Sequence, residues 1–229
     1  MENEFSGFVM PKAKMLPVFL LLDVSGSMAL DNKMHELNSS VREMLDTFKQ
    51  EQAVQAEIFV SIITFGDNVE LVSELKSASE IEYVDLVAGG VTNMGNALDV
   101  AKNIIEDKEK LPSNSYRPVV VLVSDGQPYT PEDPGNKKFE TQLMKFTSNG
   151  RSAKCDRWSL AIGADSDRAM MKKFLDHPEK EVCYVEDAAD IHKFFRFISS
   201  STVQRSKSNS PNSIPEELRN VDILDLNFD

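Results

Sequence analysis

Two unbroken apolar runs, each followed by an aspartate, place the strongest constraint on the fold of this chain. The first is residues 17–22, followed by Asp23, and the second is residues 118–123, followed by Ser124 and Asp125. An apolar run of this length that stops at a turn signal is typical of a strand buried on both faces of a parallel sheet. Because the carboxyl ends of parallel strands lie at one edge of a sheet, we expect the two aspartates to lie close together there.

Strand-like and helix-like segments alternate over almost the whole sequence. Further strands are predicted at residues 57–65, 69–72, 157–163 and 182–185, and helices at residues 32–49, 96–105, 138–147, 167–175 and 188–200. The alternation predicts a three-layer α/β fold, in which a doubly wound, Rossmann-like and mostly parallel sheet lies between helices. Residues 69–72 follow a turn and are predicted to return as one short antiparallel edge strand.

The length of 229 residues predicts one domain with additions at its two ends. We assign residues 1–15 to an N-terminal extension, residues 16–203 to the domain, and residues 204–229 to a flexible linker and an acidic-hydrophobic tail. Residues 206–213 are rich in Ser, Asn and Pro, the composition of a flexible linker. Residues 214–229 are acidic but contain six large apolar side chains beyond Ile214, so we predict that this segment docks on the chain's own body or on a partner.

Charge and composition exclude several classes of function. The net charge of -12 and the pI near 4.8 argue against a nucleic-acid binder and against binding to anionic membranes. The first four residues are acidic in character, and no apolar run is long enough for a signal core or a membrane span. The two cysteines, Cys155 and Cys183, are predicted to be reduced thiols. We therefore expect a cytoplasmic protein that binds neither nucleic acid nor membrane.

The turn after the first apolar run presents oxygen ligands only, in the sequence Asp23-Val24-Ser25-Gly26-Ser27. Hard cations such as Mg²⁺, Mn²⁺ and Ca²⁺ prefer carboxylate and hydroxyl oxygens, whereas zinc and copper prefer nitrogen and sulfur. A single Asp-x-Ser-x-Ser could equally be a loop or a helix N-cap, because both residue types accept hydrogen bonds from free helix N–H groups. The turn therefore points first to a site for a hard metal ion.

A third loop adds a hydroxyl, Thr92, just before a predicted helix. The set Asp23, Ser25, Ser27, Thr92 and Asp125 resembles the metal-ion-dependent adhesion site (MIDAS) of the von Willebrand factor A (VWA) family, and the likeness extends from about residue 16 to residue 203. The resemblance implies that the three hydroxyls bind the ion directly, while the two carboxylates hold it directly or through water. It implies Mg²⁺, with Mn²⁺ and Ca²⁺ as alternatives, and a partner protein whose Asp or Glu carboxylate fills the open coordination position.

Within the family, several blocks are similar to the TerY-type proteins of bacterial tellurium-resistance and stress gene clusters. These blocks are residues 18–28, 61–65, 123–128 and 194–199. The likeness implies a cytosolic role in tellurium resistance, stress response or defence. It also implies that a protein kinase or phosphatase of the same gene cluster is among the partners.

A catalytic role is the weaker prediction. Phosphatases with a nucleophilic aspartate at a strand end need a second aspartate two residues on, where this chain has Ser25. The sequence has neither a phosphate-binding loop nor a Gly-x-Ser-x-Gly motif, and its three histidines, His35, His177 and His192, are scattered. We therefore predict a recognition module and not an enzyme. An adaptor subunit of an ATP-driven machine is the first alternative, and a metal-dependent hydrolase is the second.

Overall fold

The computed structural model describes residues 13–51 and 55–212, and in them six strands alternate with five helices. The strands are β1 (Lys14–Asp23), β2 (Ala56–Phe65), β3 (Val69–Ser77), β4 (Val119–Ser124), β5 (Asp156–Ile162) and β6 (Cys183–Val185). The helices are α1 (Lys33–Gln50), α2 (Met94–Glu106), α3 (Lys137–Ser148), α4 (Arg168–Leu175) and α5 (Ile191–Lys207). Within these described residues no helix is both long and apolar enough to cross a membrane. Residues 1–12 of the predicted extension and residues 213–229 of the predicted tail lie outside them.

The strands form one sheet in the order β3-β2-β1-β4-β5-β6. All neighbouring pairs are parallel except β2 and β3, which confirms the predicted mostly parallel sheet with an antiparallel edge strand. The strand order reverses between β1 and β4, where Leu22 of β1 pairs with Val123 of β4. Loops that leave adjacent strands at such a switch point diverge to opposite faces and open a crevice at the carboxyl edge.

Alternation along the central strands divides the core into two layers. Val18, Leu20 and Leu22 of β1 point to the face covered by α1 and α5, whereas Phe19 and Leu21 point to the face covered by the other three helices. All five side chains are completely buried. Both faces of β1 therefore need apolar residues, which is why its sequence is an unbroken apolar run.

Two segments differ from the sequence-based prediction, and a third, which the sequence left undecided, is irregular. Strand β3 has nine residues, compared with the four predicted. Helix α5 continues to Lys207, seven residues beyond the predicted end, so residues 204–207, which we assigned to the linker, are helical and Arg205 is buried. Residues 81–90, undecided between helix and irregular structure, contain neither helix nor strand. That segment leads directly into the loop that carries Thr92.

Candidate metal centre

Asp23 is the last residue of β1, and its side chain is completely buried at the switch point of the sheet. Its Oδ1 atom accepts a hydrogen bond from the backbone N–H of Ser25 at 2.7 Å, and its Oδ2 accepts one from the hydroxyl of Ser124 at 2.5 Å. Burial raises the pKa of Asp23 from its ordinary value of 3.8 to about 6, and the nearby charge of Asp125 acts in the same direction. Among the described residues no cationic side chain pairs with Asp23, so a bound cation would stabilise its ionised form.

Asp125 follows β4 directly and is buried on the neighbouring loop. The hydroxyl of Ser27 donates a hydrogen bond to Asp125 Oδ1 at 2.7 Å, and the hydroxyl oxygens of Ser25 and Ser27 lie 3.1 Å apart. Side chains from the loop after β1 thus reach the loop after β4, although 98 residues separate Ser27 from Asp125. Four of the five predicted ligands are joined in this way through hydrogen bonds.

Thr92, the fifth predicted ligand, lies on the loop before α2. Its backbone exchanges two hydrogen bonds with Tyr129, at 3.0 and 3.2 Å, which ties this loop to the one after β4. The Thr92 hydroxyl oxygen lies 3.9 Å from the position that a Cβ atom on Gly126 would take. On the other side, the backbone N–H of Gly26 donates to the Gly90 carbonyl at 3.0 Å. The structure therefore brings all five predicted side chains to one place, and their role as ligands stays a prediction.

The loop that carries Thr92 depends on a glycine and an aspartate that sequence reasoning did not single out. Gly90 has a φ of +84°, and a Cβ atom there would lie 2.3 to 2.5 Å from atoms of Asp67. The Asp67 carboxylate in turn accepts a hydrogen bond from the Val91 backbone N–H at 3.0 Å. Only glycine fits this conformation and this close approach. The Gly-Gly pair before Thr92 was the one signal in the sequence that could have indicated it.

Lys33, the first residue of α1, is a third contributor that the sequence did not reveal. Its ammonium group donates to Asp125 Oδ2 at 2.8 Å, and the lysine side chain is only 14% exposed. Asp125 is therefore bound on one oxygen by a hydroxyl and on the other by a cation. A metal ion at this carboxylate has to share it with Lys33.

The donor set fits a hard divalent cation. It consists of two carboxylates and three hydroxyls, and the two negative charges balance the charge of one divalent ion. No group of three or more His, Cys, Asp or Glu side chains in the described residues is arranged to hold a metal ion, and the candidate site itself has two carboxylates. None of the three histidines hydrogen-bonds to the five predicted ligands in the described structure. The predicted ligand set therefore consists of oxygen donors.

An open cleft of about 690 Å³ lies beside Asp125 and Lys33 at the same edge of the sheet. The other charged residues that the structure describes in its lining are acidic: Asp31, Asp165, Glu186, Asp187 and Asp190. Three large apolar side chains are exposed on the loops that carry the predicted ligands, namely Leu30, Val87 and Tyr129. The surroundings of the site are thus acidic and partly apolar, and they are open to a macromolecule.

Comparisons with known proteins find one family model that matches part of the chain. Residues 18–127 match the family model described as the von Willebrand factor type A domain. Calcium-activated chloride channel regulator 1 from Mus musculus is 30% identical over 120 residues, which are 49% of this chain and 12% of that protein. The chain therefore spans only a small part of the length of this curated relative.

Solved structures extend the likeness to 85% of the chain. A von Willebrand factor type A protein from Catenulispora acidiphila has a TM-score of 0.63 at 19% identity, with 43% of that chain covered. The pilus adhesin SpaC from Lactobacillus rhamnosus GG, in its open conformation, has a TM-score of 0.66 at 13% identity, with 31% covered. Proximal thread matrix protein 1 from the mussel byssus, solved with a zinc-occupied MIDAS motif, has a TM-score of 0.59 at 16% identity, with 47% covered. At these identities the likeness establishes the shared fold alone.

Proposed function

We propose that the chain is a metal-dependent protein-recognition module, and the match of residues 18–127 to the von Willebrand factor type A domain model supports this role. In this proposal Asp23, Ser25, Ser27, Thr92 and Asp125 hold one divalent ion at the carboxyl edge of the sheet. A carboxylate of a partner protein then completes the coordination. The observation that carries the proposal is the meeting of three loops, through hydrogen bonds and a backbone bridge, around a buried carboxylate that no cation of the described residues pairs with.

Mg²⁺ is the ion we propose first, with Mn²⁺ and Ca²⁺ as alternatives. Mg²⁺ takes six ligands and gives up water reluctantly, so a set of hydroxyls and carboxylates that leaves room for water or a partner suits it. The mussel protein that shares the fold holds zinc in its MIDAS motif, so Zn²⁺ belongs in any comparison of ions.

The acidic cleft gives a reason for metal dependence. Five carboxylates near Asp125 repel an approaching Asp or Glu side chain unless a bound cation reverses the local charge. The exposed side chains of Leu30, Val87 and Tyr129 supply apolar contact area around the site. In this proposal the ion attracts the partner's carboxylate, and the exposed apolar side chains around the site add to the affinity.

The similarity to TerY-type proteins supports a narrower proposal. We place the module in the cytoplasm, in a bacterial tellurium-resistance, stress or defence system, with a kinase or phosphatase of the same gene cluster as a partner. An adaptor role for an ATP-driven machine uses the same site and predicts that the chain changes the partner's nucleotide turnover. A hydrolase predicts turnover by the purified chain alone.

Thermal unfolding with and without added ions tests the metal site. An ion that binds only the folded state stabilises it by about 2.7 kcal/mol at one hundred times its dissociation constant. We expect this stabilisation with the wild type and its loss in Asp125→Ala. A matched control is Asp165→Ala, which removes a carboxylate from the same cleft but not from the predicted ligand set. Equal stabilisation of all three proteins would contradict the proposed site.

Affinity capture tests the recognition. Wild type, Asp23→Ala and Asp125→Ala are each used as bait, with Mg²⁺ and with a chelator. We expect partners that are retained by the wild type in Mg²⁺ and lost in the other samples. Partners retained equally by every sample would overturn metal-dependent recognition while leaving the metal site itself intact.

A further inference from the structure

A second cleft, of about 650 Å³, lies at the amino edge of the sheet, opposite the metal centre. It opens where β4 and β5 begin and where α4 ends. Five cationic side chains line it, namely Arg117, Arg151, Lys154, Arg157 and Lys180. Among the residues that the structure describes, Asp156 and Asp176 are the only carboxylates that line it, which leaves these residues with an excess of three positive charges. This excess stands out in a chain whose net charge is -12.

The two carboxylates of this amino-edge cleft are already paired. Asp156 is buried, where it pairs with Lys180 through Oδ1 and with Arg205 through Oδ2, the latter at 3.4 Å. Asp176 pairs with Arg157 at 3.4 Å. Neither carboxylate therefore compensates the remaining cations of the cleft.

Three cations are left without a carboxylate partner within residues 13–51 and 55–212: Arg117, Arg151 and Lys154. The guanidinium of Arg151 donates only to backbone carbonyls, those of Leu111 at 2.7 Å and Pro112 at 3.3 Å. The side chains of the other two belong to exposed residues. A concave surface with three uncompensated cations attracts an anionic ligand or segment.

The described chain ends at the rim of this cleft. The side-chain oxygen of Asn212 accepts a hydrogen bond from the Arg117 backbone N–H at 2.6 Å, and the Pro211 carbonyl accepts one from Arg205 at 2.8 Å. Residues 213–229 follow directly. They contain five acidic residues, Glu216, Glu217, Asp222, Asp225 and Asp229, and a single arginine, Arg219.

The chain beyond Asn212 is long enough for its acidic residues to contact the cleft. Glu216 is four residues beyond Asn212, and four extended residues span about 13 Å. The cleft also offers apolar wall residues, Pro118, Ala153 and Leu175, for the large apolar side chains that alternate with the acids of the segment. The charge of residues 213–229, the point where they begin and their length thus all suit binding to this cleft.

We propose that residues 213–229 bind within the same molecule to the amino-edge cleft, with Glu216 and Glu217 facing Arg117 and Lys154. The segment then covers the edge of the sheet opposite the metal centre and leaves the carboxyl edge open for a partner. This docking is independent of the metal site and of the proposed recognition function.

Carbodiimide cross-linking of the full chain tests the proposal. The reagent joins a lysine amine and a carboxylate in an amide bond with loss of one water, so it records direct ion-pair contacts. We expect links from Lys154 to Glu216 or Glu217 in the monomer, independent of protein concentration and suppressed at 1 M salt because exposed charge pairs are then screened within about 3 Å. Lys138, an exposed lysine at the start of α3 on the opposite edge, is the control. Links at Lys154 should exceed those at Lys138 by about fivefold, the factor expected from about 1 kcal/mol of pairing.

A charge exchange provides the second arm. Lys154→Glu should abolish the links between position 154 and residues 213–229, and adding Glu217→Lys should restore a link between positions 154 and 217 with the two charges exchanged. Equal linking at Lys154 and Lys138 would overturn the proposal. So would links found only in dimers, which would indicate a second copy as the occupant. Thermal stabilisation by inorganic phosphate that is unchanged by Glu216→Gln with Glu217→Gln would also overturn it, in favour of a site for free anions.

Discussion

Two buried aspartates at opposite edges of the same sheet show how differently this protein treats one residue type. Asp156, at the amino edge, is paired with Lys180 and Arg205 and accepts a hydrogen bond from the Trp158 indole. Asp23, at the carboxyl edge, accepts hydrogen bonds from neutral donors alone within the described part of the chain, and burial raises its pKa to about 6. The charge of Asp156 is compensated by the fold, whereas that of Asp23 is left for an ion to compensate. Asp156 therefore stabilises the folded structure, whereas Asp23 is available to bind an ion.

Removing Asp156 should produce the largest effect on folding. The substitution Asp156→Ala leaves Lys180 and Arg205 without their carboxylate, and breaking such a buried pair costs about 3–5 kcal/mol of unfolding free energy. Urea unfolding measures the loss. The control is Asp176→Ala, because Asp176 is 56% exposed and the buried Arg157 keeps its hydrogen bonds to the backbone carbonyls of Ser152, Ala153 and Leu175. We therefore expect the control to lose only about 1 kcal/mol. Similar small losses for both variants would show that Asp156 does not organise the amino edge.

Replacing Asp23 should increase the stability of the folded state, whereas replacing Asp156 should decrease it. In the presence of a chelator at pH 7, Asp23→Asn removes a buried charge, and the rise of pKa from 3.8 to about 6 corresponds to a gain of stability of up to about 3 kcal/mol. The same variant should gain nothing from Mg²⁺. Chemical unfolding with and without the ion measures both effects, and a destabilised variant would contradict this account of Asp23.

The gain should also depend on pH. The folded state holds the Asp23 proton more tightly than the unfolded state, so wild-type stability falls as pH rises from 3.8 to about 6 and is constant above that range. The advantage of Asp23→Asn should therefore be complete above pH 6, shrink as pH falls, and vanish below pH 3.8. An advantage that is independent of pH would indicate an effect of shape and not of charge.

The sequence predicts the carboxyl edge better than the amino edge for a physical reason. Apolar runs that stop at Asp23 and Asp125 predict strands whose ends carry oxygen ligands, and local composition is enough to recognise this pattern. Lys33 and Asp67 escape prediction because they act across 92 and 24 residues of sequence, through contacts that only the folded chain creates. Without knowledge of these contacts, a lysine at the start of an amphipathic helix cannot be distinguished from an ordinary surface lysine.

The end of α5 illustrates the same limit. Ser, Asn and Pro around residue 206 are typical of a linker, yet the helix continues to Lys207. Arg205 explains the difference, because its guanidinium reaches Asp156 and the backbone carbonyls of Arg117 and Pro211. Tertiary contacts of one buried arginine therefore override the weak helix propensity of its neighbours.

The smallest expected effect concerns Lys33. This lysine pairs with Asp125 at the carboxyl edge, as Lys180 and Arg205 pair with Asp156 at the amino edge. An ion that binds Asp125 competes with this ammonium group, so Lys33→Met should raise the affinity for Mg²⁺ about fivefold, which corresponds to about 1 kcal/mol. Isothermal calorimetry measures the dissociation constant. Lys193→Met is the matched control, since Lys193 pairs with Asp190 of the same acidic cleft and not with a predicted ligand. A weaker affinity in Lys33→Met would reverse the interpretation, because Lys33 would then hold Asp125 in place for the ion and not compete with it.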